Sequence, residues 1–305
     1  MPSMSDIRFH IKSVKQTRQI TNAMRLVSAA RMRRALNGIH RNYAYFQRAL
    51  EVITDIRAHT GETAHPYINH REGHKVAYIA VAGDKGLSGS YNHDALALAE
   101  RGMAGREIVK LFTVGSVATF HFQRRGSAPD ARFERLAERP RIEEVRRLAD
   151  ILTGMYDAGE IDELHIVYTR FINTLAREAR DQKLLPVELG DFQNPEDCTQ
   201  RQSAGEILYE PSPAQVLDAM IPQLIIGFIY GAMVHSYASE NCSRMTAMEN
   251  ATRSADEMIE KLTLQYHSVR QLSITNELAD IIGAANAANA AQTRENATRP
   301  EDNQA

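Results

Sequence analysis

Residues 244–287 read RMTAMENATRSADEMIEKLTLQYHSVRQLSITNELADIIGAANA, and this stretch decides the fold. Apolar or small residues recur along it at alternating steps of three and four: Met245, Met248, Thr252, Ala255, Ile259, Leu262, Tyr266 and Val269. Such spacing places one stripe along a helix and is typical of a coiled-coil seam. A seam of this length predicts a partner helix beside it.

The beginning of the chain supplies a candidate partner. A single helix is predicted over residues 4–57. Its seam is expected at Ile7, Ile11, Val14, Thr17, Ile20, Met24 and Val27, and then at Ile39, Tyr43, Phe46, Leu50, Ile53 and Ile56. Residues 1–50 carry ten lysines and arginines against the single acid Asp6, a local charge of +9. This segment should therefore seek acidic partners.

The middle of the chain alternates between two kinds of pattern. β-branched and apolar runs predict strands at 75–82, 107–114 and 162–170, with weaker support at 182–189, and helical patterns lie at 91–101, 116–125 and 142–158. Strands alternating with helices indicate an α/β layer with a mostly parallel sheet. Residues 190–206 are polar and rich in turn formers, which favours a surface loop.

Two prolines precede the last predicted helix, and a polar tail follows it. Pro222 is expected to start or kink this helix. The domain organisation predicted is a shaft helix at 1–60, a globular α/β domain at 61–210, a second shaft helix at 211–287 and a disordered tail at 288–305.

Composition limits the class of protein. The chain has 305 residues, 43% of them hydrophobic, and a net charge of −2, which is ordinary for a soluble globular protein. Two cysteines are too few for a disulfide framework. The apolar run at 220–233 is too short to span a bilayer, so no direct membrane insertion is expected. The Arg-rich start resembles a mitochondrial transit peptide, but its own long helical pattern argues against that reading.

No catalytic, phosphate-binding or metal-binding motif is complete in the sequence. The turn GDKGLSGSYN at 83–92 stands where a phosphate-binding loop would, yet it matches no phosphate-loop or nucleophile-elbow pattern. The histidines at 59, 65, 70 and 74 lack acidic or cysteine ligands at suitable spacing, which favours a solvated loop over a metal site. The basic first helix carries its charges on several faces, which favours a protein partner over nucleic acid. We therefore expect no catalytic residue, cofactor, metal or nucleic acid.

Several stretches resemble one family. Residues 7–34, IRFHIKSVKQTRQITNAMRLVSAARMRR, look like the N-terminal helix of the gamma subunit of F-type ATP synthases. VAGDKGLSGSYN, RFINTLAREA, LLPVE, LYEPSP and the run 239–287 follow in family order. The resemblance implies an antiparallel coiled coil of the terminal helices, with a Rossmann-like α/β domain between them. It also implies a non-catalytic rotor that couples ion flow to ATP synthesis or hydrolysis on other chains.

The same resemblance implies partners and contact residues. The partners are the alpha and beta subunits, the epsilon subunit and the ring of c subunits, on the cytoplasmic side of a bacterial inner membrane. Met24 and Arg25 match positions that face an acidic lever loop of beta, and Arg31, Arg33 and Arg34 lie nearby. Arg270, Gln271, Thr275 and Glu277 match positions that contact catch loops of beta, and Arg244 begins a motif on the same shaft.

Two rival functions and three departures accompany this interpretation. The rivals are an enzyme with a Rossmann-like domain, which lacks its glycine pattern, and a self-associating coiled-coil scaffold, which predicts a homodimer. Asn22 stands where the family often has lysine, and Ser88 where it often has cysteine. The end of the chain is longer and more polar than the family pattern, which puts in doubt how it fits an apolar bearing.

Overall fold

The computed structural model describes residues 3–60, 66–68, 71, 73–134, 136–138, 140–187 and 209–297. The elements in chain order are α1 (Met4–Thr60), β1 (Lys75–Val81), α2 (Tyr91–Met103), β2 (Glu107–Val114), α3 (Ser116–Arg124), β3 (Ala131–Phe133), α4 (Ile142–Asp157), β4 (Glu163–Phe171), β5 (Arg177–Leu185) and α5 (Pro213–Ala297). They form two units. The first unit consists of Met1–Ala23 and Glu249–Ala305, and the second of Met24–Met248.

In the first unit, α1 and α5 pair side by side. Arg8 donates from Nε to the Tyr266 hydroxyl at 2.9 Å, and its guanidinium lies 5.0 Å from the centre of the tyrosine ring. Arg18 forms an ion pair with Asp256. The residue number falls on α5 as it rises on α1, so the two helices are antiparallel, as the resemblance implied.

The seam predicted on α5 is confirmed. All eight of its positions are buried or half-buried, while most of the residues between them are exposed. Met248 and Ala255 are the most deeply buried members, at 5% and 7% exposure. The alternating spacing of three and four residues therefore predicted the buried stripe of this helix correctly.

The seam predicted on α1 is partly wrong. Ile20 and Val27 are 61% and 51% exposed, whereas the neighbouring Thr21 and Ser28 are buried. The hydroxyl oxygens of Thr21 and Thr252 lie 2.8 Å apart, which satisfies both groups inside the first unit. Small hydroxyl residues fit where two helices pair, and an apolar pattern alone does not reveal them because it scores only hydrophobicity.

The second unit contains a five-stranded sheet in the order β3-β2-β1-β4-β5. β1 pairs in parallel with both β2 and β4, and β2 pairs in parallel with β3. β5 runs antiparallel to β4. The mostly parallel sheet is as predicted, but the three-residue β3 was missed, and β5 begins at Arg177 rather than at residue 182.

Side chains of β1 alternate between the two faces of the sheet, as a strand requires. Ala77, Ile79 and Val81 belong to the larger core cluster, to which α1, α4 and α5 contribute. Tyr78 and Ala80 point to the other face, where α2 and α3 complete a smaller cluster. The sheet is therefore buried on both faces, which explains why its strands read as continuous apolar runs.

Of the two alternatives for Pro222, the start of the helix is wrong. The helix begins at Pro213, and Pro222 lies inside it, where a kink stays a prediction. Leu217, Ile221 and Leu224 around that proline are buried in the larger core. Their packing offsets the backbone hydrogen bond that a proline removes from a helix interior.

Among the described helices, α5 alone is long and apolar enough to cross a membrane, and 56% of its most apolar window is buried. Core helices of soluble proteins have these same properties. The apolar residues between Leu217 and Met233 pack in the larger core cluster of the second unit. This stretch is therefore occupied by contacts within the chain.

The helix also continues beyond its predicted end. α5 runs to Ala297, so residues 288–297 are helical and not part of a disordered tail. The reason is the alanine content of the stretch, since alanine is the strongest helix former. Residues 298–305 lie outside the described residues.

Candidate partner-contact surfaces

The end of α5 in the first unit presents an exposed surface. The four predicted contact residues Arg270, Gln271, Thr275 and Glu277 are all exposed. The Thr275 hydroxyl donates to the Gln271 carbonyl at 2.9 Å, and the Ser273 hydroxyl donates to the Glu277 carboxylate at 3.3 Å. These bonds lie within the helix, and the Arg270 and Gln271 side chains are exposed.

Apolar side chains accompany these polar residues. Leu272, Ile274, Leu278, Ile281 and Ile282 are between 46% and 65% exposed. Large apolar groups clustered on one exposed stretch mark an interaction site rather than a solvated helix face. The stretch is therefore a candidate interface, in which four polar residues are set among apolar ones.

A second candidate surface lies on α1 in the second unit. Met24 and Arg25 are half-buried, and Val27, about one turn beyond Met24, is 51% exposed. Arg31 and two exposed arginines, 33 and 34, follow within three turns. This part of α1 combines positive charge with exposed apolar groups, as expected for a segment that meets an acidic protein partner.

Arg244, the remaining predicted contact residue, is 7% exposed. Its Nη2 atom donates to the Glu240 carboxylate at 2.5 Å and to the carbonyls of Lys85 and Gly86, both at 3.2 Å. Burial raises the pKa of Glu240, and the adjacent Arg244 opposes that rise. Direct contact of Arg244 with a partner stays a prediction, whereas its contacts within this chain are observed.

The turn at 83–92 is built to be held against α5. The Ser243 hydroxyl donates to the Ser88 carbonyl at 2.5 Å, beside the bonds from Arg244. Leu87 has φ 61°, a left-handed conformation that is uncommon for a leucine. The carbonyls of Lys85, Gly86 and Ser88 thus accept hydrogen bonds from α5.

A carboxylate of the chain itself occupies the neighbouring helix start. Asp84 accepts from the Ser116 backbone N–H at 3.0 Å, at the first residue of α3. Gly115, just before it, has φ 92°, and a Cβ there would lie 2.3 Å from the Ala82 carbonyl oxygen. The position where an anion would bind the N-terminus of α3 is therefore filled by a carboxylate of the chain.

One buried polar cluster was not predicted. The Tyr78 hydroxyl donates to the Gly102 carbonyl at 2.9 Å, and Arg106 lies 3.0 Å from that hydroxyl. His165 contacts Arg106 through Nε2 and Asp181 through Nδ1, both at 2.9 Å. Burial raises the pKa of Tyr78. Tyr78 and His165 are 0% and 6% exposed, so this cluster joins β1, β4 and β5 rather than facing a substrate.

Of the histidines weighed as metal ligands, His74 is exposed, and those at 59, 65 and 70 have side chains outside the described residues. Within the described residues, no group of three or more histidine, cysteine or acidic side chains is arranged to hold a metal ion.

Because α5 finds its partner helix within the same chain, we expect the purified protein to sediment as a monomer. The contacts of Arg8 with Tyr266 and of Thr21 with Thr252 would otherwise have to form between copies. Sedimentation velocity across a wide concentration range measures this. A stable dimer at low concentration would favour the scaffold function instead.

The chain matches known proteins over nearly its whole length. The family model described as ATP synthase matches residues 3–288. The ATP synthase gamma chain of Ruminiclostridium cellulolyticum is 37% identical over 289 residues, covering 93% of this chain and 98% of that protein. The sodium ion specific ATP synthase gamma chain of Acetobacterium woodii is 37% identical over 299 residues, covering 94% and 99%.

Solved structures agree on the fold. A chain in the Euglena gracilis mitochondrial ATP synthase, in a structure of OSCP, F1 and the c-ring, has a TM-score of 0.65 at 15% identity and covers 99% of this chain and 98% of its own. A chain of the central stalk and c-ring of the Tetrahymena thermophila enzyme has a TM-score of 0.56 at 21% identity and covers 76% and 99%. The chain therefore belongs to the ATP synthase gamma-chain family: it is a subunit of an F-type ATP synthase, and the catalytic sites lie on other chains.

Proposed function

We propose that this chain is the central rotor shaft that couples ion flow through a membrane ring to ATP synthesis or hydrolysis on a ring of alpha and beta subunits. The observation that carries the proposal is the antiparallel pairing of α1 with α5. The last part of α5 is exposed, so a partner can contact it. Continuous seam packing gives a shaft stiffness, whereas a loose linker would not.

The contacts with beta are proposed on two surfaces. Met24 and Arg25, with the arginines that follow them on α1, would meet the acidic lever loop. Arg270, Gln271, Thr275 and Glu277 would meet the catch loops. A shaft that biases several catalytic sites in turn needs contacts whose free energy differs with angle. A few charged groups on an otherwise apolar surface provide that, and so give the chain a means of regulating ATPase activity.

Further partners and location follow from the family. ATP synthases are membrane-associated, so the chain is a peripheral component of a membrane complex. We propose that its α/β domain meets the epsilon subunit and the c-subunit ring, on the cytoplasmic side of a bacterial inner membrane. Copurification of these subunits with a tagged gamma chain, under detergent conditions that keep the complex intact, tests the assignment.

The lever contact predicts a coupling defect. Met24→Lys is expected to leave assembly and ATP hydrolysis largely in place but to lower ion pumping per ATP severalfold. The added cation would bind the acidic loop too strongly at some angles, because a surface ion pair contributes about 0.2–1 kcal/mol, enough for a severalfold change. Ion pumping and hydrolysis are measured on the same inverted membrane vesicles.

A matched control is Leu26→Lys, which adds the same charge to an exposed position two residues further along α1. Two residues turn the helix by roughly 200°, so this lysine faces away from the proposed lever contact. Equal pumping per ATP in the Met24 variant and the unaltered complex would contradict the proposal. So would an equal loss in both variants.

The non-catalytic role predicts that the purified chain alone does not hydrolyse ATP. None of the described clusters combines a phosphate cradle with a reactive base. The measurement is phosphate release by the isolated chain, with the alpha–beta ring alone and the reconstituted ring plus gamma as positive references. Turnover by the isolated chain that survives repurification would sink the assignment.

A further inference from the structure

A cavity of about 310 Å³ lies inside the second unit, between α1, α5 and the segment that leads into α4. The buried Val234 forms part of its floor. Tyr230 and Tyr237, about two helical turns apart on α5, provide aromatic walls. The cavity thus combines an apolar base with two rings.

Its rim is strongly positive. Arg31, Arg34 and Arg141 line it, with Glu138 as the single acid. Arg31 lies 3.5 Å from Glu138, and that same carboxylate is also shared with Lys85 at 3.4 Å. Within the described residues, neither Arg34 nor Arg141 has an ion pair. Two guanidinium groups that line the cavity are therefore outside the ion pairs of the described residues.

A larger cavity in the same unit shows what a compensated rim looks like. It measures about 590 Å³, and Glu100 and Lys110 are among its lining residues. Glu100 pairs with His121 at 2.7 Å and also with Arg125, while Lys110 pairs with Asp130 at 3.3 Å. These charged residues of the larger cavity are thus paired within the chain, so this cavity should attract an anion less strongly.

The start of α4 adds to the positive field. Arg141 is the N-cap residue of this 16-residue helix, and no side chain caps it. The uncapped N–H groups of a helix start favour negative charge. Glu143 and Glu144 occupy the first turn but do not line the cavity.

We propose that this cavity is a binding site for a small ring-bearing anion, a carboxylate or phosphate monoester held by Arg34 and Arg141 with its ring between Tyr230 and Tyr237. Guanidinium groups bind such anions through paired N–H donors. The volume lies at the lower end of ligand pockets, which suits a single ring rather than a nucleotide.

This inference does not rest on the proposed rotor function, although the two meet at Arg34. An anion seated here would neutralise the charge of Arg34, which the proposed function assigns to the acidic lever loop. The ligand would then compete with that loop and modulate coupling. Binding to the isolated chain tests the site by itself, so its failure would leave the rotor assignment intact.

The test is calorimetric titration of the full-length chain with phenyl phosphate, with inorganic phosphate and phenol as separate arms. We expect one site for phenyl phosphate, affinity for inorganic phosphate weaker by about tenfold or more, and no measurable binding of phenol. The double variant R34A/R141A should weaken phenyl phosphate binding by about tenfold or more. Arg48→Ala is the control, because Arg48 is 78% exposed on the same helix and pairs with Glu51.

Each arm of the titration has a result that supports or overturns the binding site. Loss of binding in R34A/R141A but not in R48A, with unchanged melting temperatures for all three proteins, supports the site. Equal affinity in R34A/R141A and the unaltered chain overturns it. Equal affinity for inorganic phosphate and phenyl phosphate overturns the assigned ligand class, since the tyrosine walls would then contribute nothing.

Discussion

Replacing Arg244 by alanine is expected to lower the free energy of unfolding by about 3–5 kcal/mol, because it leaves a buried partner charge uncompensated. The Arg244 and Glu240 side chains are 8% and 7% exposed. The same change deprives the carbonyls of Lys85 and Gly86 of their donor. Urea denaturation of the purified chain measures the loss.

The loss should depend on pH in a defined direction. Burial already raises the pKa of Glu240, and removal of Arg244 removes the charge that opposes this rise. A carboxyl group whose pKa is raised in the folded state costs stability as the pH rises above its unfolded value. The R244A loss is therefore expected to be larger at about pH 8 than at about pH 5.

Two further variants complete this experiment. The double variant R244A/E240A should be more stable than the sum of the single losses predicts, because the charge that R244A strands is also gone. Arg253→Ala is the control, since Arg253 is exposed and its side chain donates to Asn250, a neighbour on the same helix, at 3.1 Å. Its effect should stay within about 0.5 kcal/mol. An Arg244 effect no larger than that of Arg253 would contradict the buried-pair argument.

Because of His235, the free energy of unfolding is expected to fall by about 3 kcal/mol when the pH is lowered from about 7 to about 4. Burial, with a smaller contribution from the positive charge of Arg170, lowers the pKa of His235 from its ordinary value of 6.5 to about 4. Between these two values the unfolded chain binds a proton that the folded chain does not. Stability contributed by the neutral histidine is therefore present above about pH 6.5 and is lost as the pH falls toward about 4.

The measurement is urea denaturation at both ends of that range, on the unaltered chain and on His235→Gln. Because carboxyl groups titrate in the same range, the informative quantity is the difference between the two proteins. Glutamine does not titrate, so its loss on acidification should be smaller by about 3 kcal/mol. His267→Gln, at an exposed position of α5, is the control and should change nothing. Identical pH dependence in the His235 variant and the unaltered chain would refute the assignment.

Sequence periodicity predicted the elements that bury apolar side chains in a regular pattern. β1, β2 and β4 are buried on both sheet faces, so their apolar runs were unmistakable, and the heptad spacing located the α5 seam. The end of α5 was missed because an alanine-rich stretch has helix propensity without a seam. The three-residue β3 was missed because so short a strand has no period to recognise.

The residues of the candidate site were likewise predictable only in part. The exposed residues of α5 from Arg270 onward were identified by family resemblance, and no pattern in their chemistry alone would have selected them. The internal role of Arg244 was not predicted because it depends on a turn about 160 residues earlier in the chain. The cluster of Tyr78, His165 and Asp181 likewise depends on the order of the strands, which a linear pattern does not contain.

The paired hydroxyls of Thr21 and Thr252 set the register of the helix pair. Leucines at these positions would pack almost equally well after a slide of one helical turn, whereas a slide here would break the hydrogen bond between the two hydroxyl groups. Such a bond contributes about 0.5–1.5 kcal/mol. A polar contact of this kind resists axial slippage under load, so torque applied at one end of the pair is stored as twist and not lost as sliding.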